Sequence, residues 1–114
     1  MAVCELSQSM VVADPAGKSD VDEDLQEVVR VVRERGRYDV VLDFANVDFL
    51  NSSHLTGLLQ LHKLLIDSGS RLVFCNISRP IQGILFITGL DRVFQIAADR
   101  PDAFDILRSA PAAP

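Results

Sequence analysis

Residues 39–59 read DVVLDFANVDFLNSSHLTGLL, and two different residue periodicities meet within this segment. Its first part, residues 39–44, is a short run rich in β-branched residues, which is typical of a buried central strand. Its second part begins with Asn51, Ser52 and Ser53, which favour helix N-termini, and continues with apolar residues at helical spacing. The segment therefore predicts a strand, a connecting loop and an amphipathic helix. The predicted apolar face of this helix comprises Leu55, Leu58, Leu59, His62, Leu65 and Ile66.

The segments on the N-terminal side predict a hairpin and another helix. Residues 2–13 contain two short apolar runs, with a tight turn near residues 7–9. From Asp20 onward, apolar residues recur at three- and four-residue steps, acidic residues occupy the first turn, and Arg33 and Arg35 lie in the last. This pattern predicts an amphipathic helix whose charges lie at the ends that the helix dipole favours.

The segments on the C-terminal side continue the alternation of strand and helix. They predict a strand over 71–75, a helix opened by Ser78 with Pro80 in its first turn, a strand near 93–96 and a helix around 101–107. The expected fold class is therefore α/β, with a mixed sheet of four to five strands and about four helices packed on it.

Length and composition limit the function. A chain of 114 residues predicts one domain, over residues 1–110, followed by a short Pro/Ala tail at 111–114. The formal net charge of −5 provides no field that would attract a nucleic acid backbone. No segment approaches the roughly 18 apolar residues of a membrane span, and the N-terminus lacks the pattern of a signal peptide, so we expect no membrane insertion. Cys4 and Cys75 do not form a disulfide framework, which favours a cytoplasmic protein.

No set of residues predicts catalysis or metal binding. His54 and His62 lie two helical turns apart, too far to share a metal without further ligands, and we expect His54 to be exposed to water and His62 to be partly packed. Ser52, His54 and either Asp43 or Asp48 could be grouped as a triad. However, a His two residues after a Ser on one helix points to a different face. We therefore expect no enzyme activity and no cofactor.

The two hydroxyls at Ser52 and Ser53 are the most informative polar groups. They lie between a predicted buried strand and a helix N-terminus, where free N–H groups and the positive end of the helix dipole tolerate an added anion. Such a serine is suited to reversible phosphorylation. The alternative is that one of these serines simply caps the helix, which is the usual role of serine at that position.

Residues 40–94 resemble the STAS family, which comprises sulfate-transporter and anti-sigma-factor-antagonist domains. Residues 40–43 match a family strand of the form Val-x-Leu-Asp, and residues 49–56 match the motif Phe-(Met/Leu)-Asp-Ser-(Ser/Thr)-Gly-Leu-Gly that opens its second helix. Asn51 replaces the motif Asp, and His54 and Thr56 replace its two glycines. Further similar segments are residues 17–20, 72–78, 84–90 and 93–94.

The resemblance implies a STAS-like fold and an anti-sigma factor antagonist that regulates transcription by partner switching. The implied partners are an anti-sigma factor serine kinase with a histidine-kinase-like ATPase fold and a PP2C-type phosphatase. The unphosphorylated form would bind the kinase, and phosphorylation of Ser52, or alternatively Ser53, would release it. The partner-binding residues implied by the matching positions are Asp20, Asn51, Ser53, His54, Leu55 and Thr56.

Two other functions and one surface stay open. The chain could be an unphosphorylated STAS adaptor or scaffold subunit of a signalling or lipid-transport complex. A small hydrolase or nucleotide-binding enzyme is disfavoured by the lack of a catalytic set. An apolar group after Ser78 would suit a groove between the second and third helices or a weak homodimer, although core packing is the favoured interpretation. This group comprises Ile81, Ile84, Leu85, Phe86 and Leu90.

Overall fold

The computed structural model describes residues 2–7, 10–14, 21–35, 39–47 and 49–108. Within them, five strands and four α-helices follow one another along the chain, and a short 3₁₀ turn at Leu90–Arg92 precedes the last strand. The strands are β1 (Ala2–Ser7), β2 (Met10–Asp14), β3 (Asp39–Asp43), β4 (Leu72–Cys75) and β5 (Gln95–Ile96). The helices are α1 (Val21–Arg35), α2 (Ser52–Asp67), α3 (Arg79–Thr88) and α4 (Arg100–Arg108).

The strands form one mixed sheet in the order β1-β2-β3-β4-β5. Strands β1 and β2 are antiparallel, as the predicted hairpin requires, whereas β2 to β5 are parallel to one another. In the parallel part, Val12 pairs with Val41 and Val41 pairs with Val73. Helices α1, α2 and α3 each connect one parallel strand to the next, so the predicted α/β architecture is confirmed.

Alternate residues of the central strands supply two separate cores. Val40 and Leu42 of β3 lie in the larger core with apolar residues of α1, α2 and α3. Val41, between them, lies in a smaller core with Ala103 and Leu107 of α4. Because successive side chains of a strand point to opposite faces, the first three helices cover one face of the sheet and α4 covers the other.

Helices α1 and α2 pack closely beside each other. A Cβ added at Gly57 of α2 would lie 3.2 Å from Leu25 Cδ1 of α1, so glycine permits this separation. Leu25, Val28 and Val32 of α1 are buried, as the predicted amphipathic pattern requires.

The predicted apolar face of α2 is partly wrong. The buried stripe consists of His54, Leu58, Leu61 and Leu65, whereas Leu59 and Ile66 are exposed. The reason is that leucines and isoleucines occupy most of the circumference of α2, so the helical period alone does not select which of them face the sheet.

The expectation that the apolar residues after Ser78 are core also needs a correction. Ile81 and Leu85 are buried, and Ile84 and Leu90 pack against the larger core, but Phe86 is 74% exposed. Its neighbour Ile87 is 84% exposed. Helix α3 has ten residues and only one face against the core, so its apolar side chains cannot all be buried.

Several residues named in the sequence-based predictions are not described by the structure. Asp20, Asp48, part of the turn at residues 7–9 and the predicted Pro/Ala tail at 111–114 lie outside the described residues. Among the helices that the structure describes, none has the length and apolar character needed to cross a membrane.

Candidate functional site

The predicted phosphoacceptor region lies at one edge of the sheet, where the parallel strands end. The chain leaves β3 after Asp43, passes through a turn at residues 45–46 and enters α2 at Ser52. The next two connections, from β4 to α3 and from β5 to α4, begin at the same edge. The carboxyl ends of parallel strands are the usual location of functional residues in open α/β sheets.

Asn51 is the N-cap residue of α2. Its Oδ1 accepts a hydrogen bond of 2.9 Å from the backbone N–H of His54. In return, His54 Nδ1 accepts a hydrogen bond of 3.2 Å from the backbone N–H of Asn51. The pair forms a capping box in which histidine takes the place that glutamate or glutamine usually has. The alternative that Ser52 or Ser53 caps the helix is therefore wrong.

The environment of His54 differs from the sequence-based expectation. Its side chain is not exposed to water, because the residue is only 6% exposed. The ring of Phe49, which is itself 62% exposed, lies beside it with 5.9 Å between the ring centroids. Burial leaves little of His54 for contact with a partner, and its observed role is to bind the backbone of Asn51. His62, in contrast, is partly packed as predicted, edge-on to the ring of Phe94.

Both candidate acceptor serines are exposed in the first turn of α2. Ser52 occupies the first helical position and Ser53 the second. The Thr56 hydroxyl donates a hydrogen bond of 2.9 Å to the carbonyl oxygen of Ser52. Ser53 faces another direction, since it borders a groove of about 310 Å³ between α1 and α2 that Gln26 and Gln60 also line.

The other predicted partner-binding residues differ in their exposure to solvent. Asn51 and Thr56 are exposed, so they share the surface of the first turn with the serines. Leu55 is half-buried and packs against the larger core, which makes it mainly a structural residue. The described residues do not include Asp20, and the partner role of all these residues remains a prediction.

An exposed stripe runs along α2 from Ser52, and the sequence interpretation missed it. Its members are spaced by four, three, four and three residues, so they lie on one face of the helix. Two of them, Leu59 and Ile66, are large apolar side chains that face solvent. We call this surface the α2 stripe, and it comprises Ser52, Thr56, Leu59, Lys63 and Ile66.

The buried carboxylate of Asp43, at the end of β3, accepts hydrogen bonds from three other parts of the chain. Its Oδ2 accepts a hydrogen bond from Arg100 Nε of α4, and the two side chains form an ion pair. Its Oδ1 accepts bonds of 3.0 Å from the backbone N–H of Ala45 and from Asn76 Nδ2. Asn76 adopts a left-handed backbone conformation with φ of 55°. The sequence interpretation did not predict this cluster.

The charge state of Asp43 follows from these contacts. Burial by itself would raise the pKa of Asp43, but the hydrogen bonds from Arg100, Ala45 and Asn76 together outweigh burial and hold the pKa below its ordinary value. The carboxylate is therefore ionised at neutral pH. It belongs to the face of the sheet that α4 covers, whereas Ser52 and His54 begin α2 on the other face, so Asp43 does not form a triad with Ser52 and His54.

No metal site is formed by the residues whose positions the structure gives, since no three His, Cys, Asp or Glu side chains among them converge. His54 Nδ1 accepts a hydrogen bond from the N-cap backbone, and the His62 ring lies against the ring of Phe94. The chemistry available at the start of α2 is that of an exposed hydroxyl at a helix N-terminus.

The family of the chain is established by comparison. A model of the STAS domain matches residues 19–103, which is well over half of the chain. The chain therefore belongs to the STAS domain family, as the resemblance implied. The match includes the start of α2 and the ends of strands β3 to β5.

Individual relatives are distant in sequence but similar in fold. A Paenibacillus polymyxa protein named anti-sigma F factor antagonist is 26% identical over 82 residues, covering 68% of this chain and 70% of that protein. The solved structure of an anti-sigma-factor antagonist domain protein from Planctomyces limnophilus has a TM-score of 0.82 at 17% identity, covering 95% and 97% of the two chains. The phosphorylated form of the Bacillus cell fate determinant SpoIIAA has a TM-score of 0.71 at 19% identity, covering 94% and 98%.

Proposed function

We propose that this protein is an anti-sigma factor antagonist that acts by partner switching, with Ser52 as its phosphoacceptor. The observation that carries the proposal is the position of Ser52, exposed at the first helical residue of α2 and aligned with the apolar members of the α2 stripe. The similarity to a protein named anti-sigma F factor antagonist supports the same function. The chain would act by binding rather than by catalysis.

The unphosphorylated protein would dock through the α2 stripe. Leu59 and Ile66 expose apolar surface that a partner can cover. Burial of apolar surface is the main favourable contribution to the free energy of association. Asn51 and Thr56 would surround Ser52 with polar groups. The partner is an anti-sigma factor that is also the serine kinase.

Phosphorylation would change this surface without changing the fold. A phosphate on Ser52 adds about −1.5 to −2 charges at pH 7, and a helix N-terminus tolerates such an anion. The folded protein can therefore accept the modification. The phosphate would oppose docking. A partner that covers the stripe would have to desolvate the dianion or place a like charge beside it. A PP2C-type phosphatase would restore the binding-competent form.

The test is a binding titration with the purified anti-sigma factor kinase from the same organism, without ATP. We expect the Ser52→Ala variant to bind as tightly as the wild type, and the Ser52→Asp variant to bind at least about tenfold more weakly. Ser53→Asp is the matched control, because Ser53 borders the groove beside α1 and not the α2 stripe. It should weaken binding less than Ser52→Asp does. Equal affinities of all four proteins would contradict the switch and favour an unphosphorylated adaptor.

A further inference from the structure

We infer that His54 is a positioning residue for the phosphoacceptor: its buried imidazole holds the first turn of α2 and so sets the orientation of the Ser52 hydroxyl. This inference rests on the proposed function. The family motif has glycine at the position of His54. Glycine has no side chain that can accept a hydrogen bond from the N-cap backbone.

The geometry of the capping box defines what His54 does. The backbone N–H of Asn51 donates to His54 Nδ1, so this ring nitrogen is the acceptor of the box. The backbone N–H of His54 donates to Asn51 Oδ1 in the opposite direction. Ser52 and Ser53 are the two residues enclosed by these reciprocal bonds. Their backbone is therefore fixed from both sides.

Apolar packing on either side of the box limits its movement further. Leu50, which precedes the N-cap, is buried, and Leu55, which follows His54, packs against the same core. This arrangement has the residue positions of a hydrophobic staple, which fixes the angle at which the chain enters a helix. The Phe49 ring lies beside the His54 ring and helps to cover it. A group held in this way loses little further freedom when a kinase binds it.

Orientation matters for the transfer of a phosphoryl group. The attacking hydroxyl must lie in line with the leaving oxygen, and enzymes gain much of their rate from holding the reacting groups in this geometry. Ser52 has a short side chain with one rotatable bond before its oxygen, so the backbone of the first turn limits that oxygen to a few staggered positions. The loss of the bond to His54 should therefore slow transfer to Ser52 and leave the docking surface in place.

The first test uses the folded chain alone and separates hydrogen bonding from packing. His54→Leu keeps an apolar side chain but cannot accept a bond, whereas His54→Gln keeps an acceptor at the position where capping boxes use glutamine. Amide hydrogen exchange at Asn51 should accelerate about fivefold or more in His54→Leu, and His54→Gln should restore most of the protection. His62→Gln, on the same helix, is the matched control and should leave exchange at Asn51 unchanged. Equal exchange in His54→Leu and wild type would overturn the inference.

The second test measures phosphorylation of Ser52 by the purified anti-sigma factor kinase with ATP. For His54→Leu, we expect kcat to fall about tenfold with little change in KM, and His54→Gln to recover most of the loss. A loss that His54→Gln does not recover, or a change in KM alone, would contradict positioning by hydrogen bonding. Normal kcat in His54→Leu would overturn the role of His54 while leaving the proposed function intact. Absence of phosphate on the wild-type protein would overturn both.

Discussion

Helices α2 and α3 both begin after a parallel strand at the same edge of the sheet, yet their first turns are held in different ways. Asn51 and His54 exchange two hydrogen bonds at the start of α2. Ser78 occupies the equivalent place before α3 but makes no cap hydrogen bond, and its hydroxyl oxygen is the one buried side-chain polar atom without a partner among the residues that the structure describes. The residue type alone would have predicted a cap in both places.

The difference shows that a helix of this fold does not need a side-chain cap to begin where it does. Pro80 in the first turn of α3 has a backbone angle suited to a helix and lacks an N–H group, while Ile81 and Leu85 anchor the helix in the core. The capping box of α2 therefore provides more than a helix start. It fixes the conformation of the turn that presents Ser52.

The two regions are connected through Asp43. Its carboxylate accepts one hydrogen bond from Ala45, in the segment that leads to α2, and another from Asn76, in the segment that leads to α3. The ion pair with Arg100 adds the first residue of α4. One buried carboxylate thus holds the connections to three helices in place.

The largest effect on stability is expected from Asp43→Asn. The substitution keeps the shape of the side chain but removes the charge that pairs with Arg100, and hydrogen bonds to charged groups contribute more than neutral ones. We expect the free energy of unfolding to fall by about 2 kcal/mol, as measured by urea denaturation. Glu27→Gln is the control, because Glu27 pairs with Arg30 on the exposed surface of α1. It should cause no measurable change. Equal losses of unfolding free energy in both variants would show that the buried Asp43 contacts stabilise the fold no more than an exposed ion pair does.

Acidification should produce a related but smaller loss of stability. The pKa of Asp43 is lowered in the folded protein, so this group stabilises the fold above its ordinary pKa of about 4, and the contribution is lost as the pH falls through the lower folded value. Between pH 5 and 3, the unfolding free energy of the wild type should fall more steeply than that of Asp43→Asn. Parallel curves for the two proteins in denaturation experiments would contradict this assignment.

Asn51→Ala removes the cap of α2 and should cost about 1 kcal/mol of unfolding free energy. The loss follows because the His54 N–H would no longer have its side-chain acceptor. Asn51→Asp, which restores the family residue, should retain the stability of the wild type, because aspartate caps equally well and its charge favours the helix N-terminus. Thermal and urea unfolding of the three proteins would measure the order. A stable Asn51→Ala variant would mean that α2, like α3, needs no cap.

The smallest effect is expected from Ser78→Ala, the matching substitution at α3. Serine caps usually contribute to stability, but the Ser78 hydroxyl makes no cap bond and is buried without a partner. Its removal should therefore change the unfolding free energy by no more than about 0.5 kcal/mol, with stabilisation as the favoured sign. A loss as large as that of Asn51→Ala would contradict the contrast between the two helix starts.

The sequence was sufficient to predict the order of the elements and the start of α2, because the signals involved are local. Apolar runs of β-branched residues, the candidate cap residues at 51–53 and the helical spacing after them lie within a few residues of one another. The resemblance to the STAS motif also indicates Ser52 as the candidate phosphoacceptor. These parts of the site depend on the identity of neighbouring residues and little on the rest of the chain.

The parts that sequence analysis missed depend on contacts through space. Arg100 lies 57 residues from Asp43, and only the packing of α4 on the far face of the sheet brings them together. The His54 ring accepts a hydrogen bond from the Asn51 N–H and lies beside Phe49, so it is buried, although a histidine in a first helical turn usually faces water. The exposure of Leu59 depends on which side of an apolar helix meets the sheet.

The most direct test of the switch maps the phosphate and follows the partner in one experiment. The preformed complex of wild-type protein and anti-sigma factor kinase is given ATP, free antagonist is separated, and its phosphorylated residue is identified by mass spectrometry. We predict that the released protein carries phosphate on Ser52 and that the Ser52→Ala complex stays intact. Release of unmodified protein, or phosphate confined to another residue, would contradict the account.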